Sequence, residues 1–256
     1  MRRMTKIVRT TDGTTTRYVV QDEDGWHALE GDLFGDWSVG AAVAAPETVL
    51  APVVPSKIVC VGLNYKDHAA EQGKPLPAEP LIFLKPSTAI VNPGEPIVIP
   101  DRVGRVDYES ELAVVIGRRA TRVAHSDALS YVLGLTCMND VTARDLQKQD
   151  GRYTRAKGFD SFAPLGPCIA VGLSPDDLEV CGLVNGQMRQ QSRTRELIFP
   201  VAALIAYISR IMTLLPGDIV STGTPAGIGP LQAGDEVVVR VEGVGELHNP
   251  VTRSPS

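Results

Sequence analysis

Val106-Asp107-Tyr108-Glu109-Ser110-Glu111-Leu112-Ala113-Val114-Val115-Ile116-Gly117 reads as the strand around which the rest of the chain is organised. Its second half is a continuous apolar, β-branched run, the pattern of a buried strand. Its first half carries Glu109 and Glu111, two positions apart. Successive side chains on a strand alternate faces, so these two carboxylates point the same way. Like charges held that close repel, and the apolar strand beside them makes the ionised forms harder to keep. A divalent cation relieves both problems, since a hard ion such as Mg²⁺ takes carboxylate oxygens in near-octahedral geometry and keeps several waters. The alternative is an edge strand with a solvated acidic face.

Length and composition bound what surrounds this strand. The 256 residues suffice for one sizeable core, or for a large domain with a small one. An apolar fraction of 43% excludes a disordered chain. The formal charge of −5, with no basic block, argues against a nucleic-acid partner. No apolar run reaches the roughly 18 residues that span a bilayer. Met1-Arg2-Arg3-Met4 is followed by polar residues rather than a signal-peptide core. Cys60, Cys137, Cys168 and Cys181 form no CxxC pair and sit in apolar contexts, so reduced thiols in a cytoplasmic protein are expected.

Upstream, residues 1–54 read as a small N-terminal β domain and 55–256 as a second, larger domain. Lys6–Arg9, Arg17–Val20 and Trp26–Leu29 are short strand candidates, separated by the turn dipeptides Asp12-Gly13 and Asp24-Gly25. Prolines from Pro46 to Pro55 mark a linker. Lys57–Leu63 is then a buried strand that runs into a short helix, with Asn64 as N-cap and Gly73 as its stop. His68 and Glu71 are three apart and share a face of that helix. A carboxylate beside an imidazole favours its charged form and fixes its tautomer, as a general base requires. A solvated pair on an exposed helix has the same spacing.

Downstream, Tyr131–Asp140 is another buried strand that ends on an acid. Asp140 either caps a helix over Thr142–Gln149 or supplies a third oxygen ligand beside Glu109 and Glu111. Gln147, Lys157 and Asp160 fall in a stretch that reads as loop. Asn185-Gly186 is the strongest hairpin signal in the chain, and its returning arm carries Arg189 and Arg193. Pro200 opens the clearest helix, with an apolar stripe from Val201 to Leu215 that is core packing. Gly223-Thr224-Pro225-Ala226-Gly227-Ile228-Gly229 is a glycine-rich loop without the lysine of a phosphate-binding loop. Many strands, few helices and no regular alternation predict an α+β, strand-dominated fold.

The ordered set of motifs resembles the fumarylacetoacetate hydrolase family. It comprises Gly62-Leu63-Asn64-Tyr65-x-x-His68-x-x-Glu71, Leu84-Lys85-Pro86, Asp107-Tyr108-Glu109-x-Glu111 with its apolar run, and Asn139-Asp140-Val141-Thr142-Ala143-Arg144-Asp145-Leu146-Gln147. Lys157-Gly158-Phe159-Asp160, Val184-Asn185-Gly186 and Ser221-Thr222-Gly223-Thr224-Pro225-x-Gly227 complete it. The resemblance covers about residues 55 to 251 and is similar to the bacterial branch of acylpyruvate hydrolases, oxaloacetate decarboxylases and hydroxyheptadienedioate isomerase/decarboxylases. It implies a mixed β-roll, a homodimer and one Mg²⁺ or Mn²⁺ per subunit. It further implies that Glu109, Glu111 and Asp140 hold the metal, that His68 and Glu71 form a catalytic dyad, and that Lys157 and Gln147 assist. Thr224, Gly223 and Asn64 are assigned to substrate. Arg189 and Arg193 either take a second substrate carboxylate or are solvated.

The chemistry these parts imply is C–C cleavage in a small 2-oxo acid through an enolate stabilised at the cation. Acylpyruvate-type hydrolysis comes first, with His68 activating water. The alternatives are the isomerase/decarboxylase of aromatic catabolism, oxaloacetate decarboxylation, and a metal-stabilised binding module without turnover.

Overall fold

A computed structural model describes residues 4–255, so Met1, Arg2 and Arg3, the basic start of the chain, lie outside the described residues. The fold is strand-dominated, as expected, and built on a 12-stranded sheet. Along its main path the strands run Trp37–Ala42, Gly25–Gly31, Thr16–Asp22, Thr5–Thr11, Ala163–Val171, Val132–Asn139, Ser110–Ile116, Ile219–Ser221, Ile58–Gly62 and Leu81–Lys85. Neighbours are antiparallel except Ile219–Ser221 against Ile58–Gly62. The helices are α1 (Lys66–Glu71), α2 (Arg144–Asp150), α3 (Thr154–Lys157) and α4 (Val201–Ile211).

The apolar half of the opening stretch is buried on both faces. Leu112, Val114 and Ile116 join a core cluster with Leu204, Ile205 and Ile208 of α4. Ala113 and Val115 point the other way, into a cluster with Ile7, Ile58, Met138 and Leu165. With both faces covered, the strand needs a continuous apolar run rather than an alternating one.

The acidic half is not one strand with it. Val106–Tyr108 and Ser110–Ile116 are separate strands that break at Glu109. The first belongs to a three-stranded sheet with Thr142–Ala143 and Gly229–Pro230. The neighbouring chain makes the same crossing: Val132–Asn139 lies in the large sheet and Thr142–Ala143 in the small one. Glu109 and Asp140 therefore sit side by side where both chains change sheets, joined by the Asp140 N–H to Glu109 O bond of 2.9 Å.

Several local expectations change. The separate unit expected at 1–54 is hydrogen-bonded into the large sheet, because Thr5–Thr11 pairs with Ala163–Val171. Trp37–Ala42, half solvated and paired on one side only, gave no apolar alternation to read. Asn64 is not the cap of α1; Tyr65 holds that position with no side-chain cap. Asp140 does not cap a helix either, since Thr142–Ala143 is a two-residue strand and α2 starts at Arg144. The helix expected over Thr142–Gln149 forms as α2, starting two residues later, and the stretch read as loop around Lys157 carries α3. The Asn185-Gly186 hairpin forms, with both residues at positive φ. The buried stripe of α4 stops at Ile208, and Ile211 is exposed. Among the described residues no helix is long and apolar enough to cross a membrane, and all four cysteines are free and buried.

Candidate active site

Glu109, Glu111 and Asp140 converge at the sheet junction. All three are buried, and one carboxylate oxygen from each lies within 4.8 Å of those of the other two. Glu109 accepts from Arg144 through Oε1 and from Lys157 through Oε2, the latter at 3.0 Å. Asp140 accepts from Lys85 through Oδ1 and from Lys157 through Oδ2, each at 2.5 Å. Glu111 accepts through Oε2 from the Ser221 hydroxyl at 2.5 Å and the Gly223 N–H at 2.9 Å. Its Oε1 takes no hydrogen bond from the described residues.

These partners divide two glutamates that stand two residues apart. For Glu109, burial acts upward but Lys157 and Arg144 outweigh it and bring the carboxyl down to about 2. For Glu111, burial and the Asp140 and Glu109 charges push the carboxyl well above the usual range, against the Ser221 hydrogen bond. Lys157 is buried, which acts against its charge, yet Asp140 and Glu109 raise it above the ordinary ammonium value. Its third proton goes to Thr142 Oγ1 at 2.8 Å, and the Phe83 ring lies 4.8 Å from Nζ. Burial lowers Lys85, with Asp140 opposing.

Three hard oxygen donors, one of them destabilised as an anion by its own neighbours, fit a divalent cation. The Glu-x-Glu spacing made that legible in sequence. Arg144 and Lys85 were present in the quoted motifs but received no role, because only the tertiary structure shows that they hold Glu109 and Asp140.

Across a cavity of about 480 Å³, His68 faces this acidic floor from α1. Its Nδ1 lies 2.9 Å from Glu71 Oε2, and the other Glu71 oxygen accepts from Gly227 N–H at 3.0 Å. Gly227 is at φ +99°, and a Cβ there would stand 2.0 Å from Arg189 O. Glycine thus lets the 223–229 loop close on the dyad. The Gln72 amide sits 2.7 Å from His68 Nε2. With Glu71 accepting the Nδ1 proton, Nε2 is the acceptor, which is the tautomer a general base needs.

The cavity brings together His68, Glu109, Glu111, Asp140, Gln147, Lys157 and Thr224. Arg144 donates to Gln147 Oε1 at 3.1 Å, which leaves the Gln147 NH₂ as the group offered to the cavity. Thr224 lends its hydroxyl proton to Ser110 O at 3.0 Å and accepts from Gln190 at 2.8 Å. That hydroxyl therefore has no proton to give a substrate.

Other expected residues are placed elsewhere. Gly223 turns its N–H to Glu111, away from any substrate carboxylate. Asn64 is fully buried, and its amide is spent on backbone, donating to Phe199 O and Thr222 O and accepting from Phe199 N. Arg189 lies outside the cavity, with its guanidinium on Gln187 at 2.8 Å, and Arg193 pairs with Asp177 and Glu242. Besides Lys157 and Arg144, the cationic side chains that line the cavity are Lys74 and Lys148.

Comparison with known proteins places this geometry. A profile of the fumarylacetoacetate (FAA) hydrolase C-terminal domain matches residues 57–252. The mitochondrial oxaloacetate tautomerase FAHD2B of Bos taurus is 44% identical over 217 residues, covering 80% of this chain and 69% of that protein. The crystal structure of 5-carboxymethyl-2-hydroxymuconate delta-isomerase from Mycobacterium smegmatis superposes with a TM-score of 0.90 at 42% identity, over 97% of this chain and 100% of that one. The structure of 2-hydroxyhepta-2,4-diene-1,7-dioate isomerase from Mycobacterium marinum gives 0.89 at 41%, over 98% and 99%.

Proposed function

This chain belongs to the fumarylacetoacetate hydrolase family, and we propose that it is a Mg²⁺- or Mn²⁺-dependent enzyme that moves a proton at the carbon beside the keto group of a small 2-oxo acid. The observation that carries this reading is that the His68–Glu71 pair and the Glu109–Glu111–Asp140 group line the two sides of one cavity. The sequence alone put acylpyruvate hydrolysis first. Relatives named as an isomerase and a tautomerase favour proton transfer without bond cleavage as the leading reading.

Glu109, Glu111 and Asp140 would hold the cation, which when bound supplies positive charge for an oxygen that becomes negative as the proton leaves. His68 takes the proton at Nε2 once the Gln72 amide turns aside, and Glu71 stabilises the imidazolium that results. Lys157 adds a fixed positive charge beside the same floor. Gln147 donates its NH₂ to the substrate's oxygen end. Leu81 and Phe83 give the cavity an apolar wall. Delivery of the proton to the enolate oxygen gives the enol tautomer, and delivery to a conjugated carbon further along gives isomerisation.

Hydrolysis is the second reading: the cavity of about 480 Å³ has room for a water beside a small 2-oxo acid. There His68 deprotonates the water, which attacks the distal carbonyl. Proton NMR in D₂O with Mg²⁺-loaded protein separates the readings. Metal-dependent enol–keto exchange of oxaloacetate without loss of carbon supports the first, and acetate plus pyruvate from acetylpyruvate supports the second. No EDTA-sensitive change in either compound would defeat both.

A further inference from the structure

We propose that the donors that anchor the three carboxylates, namely Arg144, Lys85 and the Ser221–Gly223 pair, select the cation by favouring coordination through a single oxygen of each carboxylate. This rests on the reading of Glu109, Glu111 and Asp140 as a divalent-cation site.

Each carboxylate is anchored through one oxygen: Glu109 by Arg144, which lines the cavity beside it, and Asp140 and Glu111 by Lys85, Ser221 and Gly223, which do not line it. Arg144 holds Glu109 Oε1, and is itself held by Asp107, whose Oδ2 accepts from Arg144 Nε at 2.8 Å. Asp107 is fully buried and further clamped by Arg105, at 2.7 and 3.0 Å. Lys85, 1% exposed, holds Asp140 Oδ1 at 2.5 Å and is fixed in turn by Val141 O at 3.1 Å. Ser221 and the Gly223 N–H hold Glu111 Oε2. Gly223 is committed to this position: its φ is +98°, and a Cβ would stand 2.8 Å from Asn64 Cβ.

The oxygens left over are Glu109 Oε2, Asp140 Oδ2 and Glu111 Oε1. Lys157 touches the first two, but a carboxylate oxygen has a second lone pair for a cation. For Glu109 or Asp140 to bind through both oxygens, the anchored oxygen must be shared between its cationic anchor and the ion, whereas Glu111 Oε2, which already accepts two hydrogen bonds, must give one up. At Glu109 and Asp140 that sets the ion's charge against Arg144 or Lys85 and weakens a charge-assisted hydrogen bond, and at Glu111 it leaves a buried hydroxyl or N–H without its acceptor, all of which are costly. Three single oxygens, with the other positions left to substrate and water, suit a six-coordinate ion such as Mg²⁺ or Mn²⁺. Ca²⁺ reaches seven or eight ligands most readily through bidentate carboxylates, which the anchors oppose.

The test is calorimetric titration of EDTA-stripped full-length protein with Mg²⁺, Mn²⁺ and Ca²⁺, for wild type, Arg144→Lys, Arg144→Gln and Ser221→Ala. The ratio of the Ca²⁺ to the Mg²⁺ dissociation constant is expected to fall about tenfold in both Arg144 variants, the order of one charge-assisted hydrogen bond. A fall of about threefold is expected in Ser221→Ala, which keeps the Gly223 anchor. Charge alone would weaken or tighten both ions together, and Arg144→Lys keeps the charge, so the ratio isolates the anchoring. Infrared carboxylate bands of the Ca²⁺-loaded protein should be monodentate in wild type and gain a bidentate component in Arg144→Lys. An unchanged ratio in variants that retain wild-type circular dichroism, or bidentate bands already in Ca²⁺-loaded wild type, overturns the inference. Absence of any divalent binding by wild type would instead overturn the cation-site reading on which it rests.

Discussion

The acidic floor and the His68 helix face each other across one cavity, yet they are held in place by different means. The floor is buried, sits where two neighbouring chains cross from one sheet to another, and every carboxylate on it is gripped by residues far away in sequence. The dyad stands on α1, a helix of six residues whose Glu71 side chain is 41% exposed. Its tie to the rest of the site is the Gly227 N–H. Charge accumulated at low dielectric needs rigid neighbours to hold it, whereas a group that exchanges a proton with substrate needs room to adjust. The contrast is a division between a preorganised anion cluster and a buried base whose orienting carboxylate is part-exposed.

Glu109→Ala should have the largest effect, abolishing metal-dependent turnover while also removing divalent binding in calorimetry. Retained binding would show that the floor is not the cation site. His68→Ala is expected to lower turnover by about 10²- to 10⁴-fold, the usual worth of a general base, with divalent binding unchanged. A parallel loss of binding would erase the distinction between the two regions.

Titration sharpens the comparison further. Glu109, lowered from 4.5 to about 2, adds stability that is present above pH 4.5 and lost as the pH falls toward 2. Glu111, raised above 4.5, contributes the opposite way: its share is present below 4.5 and lost as the pH rises through its folded value. The stabilisation by Mg²⁺ should therefore be larger at pH 8 than at pH 5 in thermal melts. Without added metal at pH 8, Glu111→Gln should melt higher than wild type by about 2–4 °C, the shift that goes with about 1 kcal/mol in a chain of this size. A lower melting point would mean that the charge on Glu111 is not a net cost to the fold.

Asn64→Ala tests a smaller point. Its amide stitches Phe199 and Thr222 together behind the site, so about 2 kcal/mol of stability should be lost with KM unaltered. Gly186→Ala, remote from both regions and at φ +73° with open space around it, should cost only about 1 kcal/mol, from backbone strain alone.

Strand-dominated architecture, the buried apolar run, the Asn185-Gly186 hairpin and the α4 stripe were legible from the chain because each depends on neighbours within a few residues. The same holds for the carboxylate pair of Glu109 and Glu111 and for the His68–Glu71 spacing. What depended on the tertiary structure is everything that couples distant residues. The break at Glu109 follows from two sheets competing for one chain, which no local pattern reports. Asn64, Gly223 and Arg189 have the right chemistry for substrate, but packing turns their donors to other partners. Arg144 and Lys85 look in sequence like ordinary cations. Their work at Glu109 and Asp140 exists only because folding removes those groups from water together, and a buried charge must then be answered by whatever stands next to it.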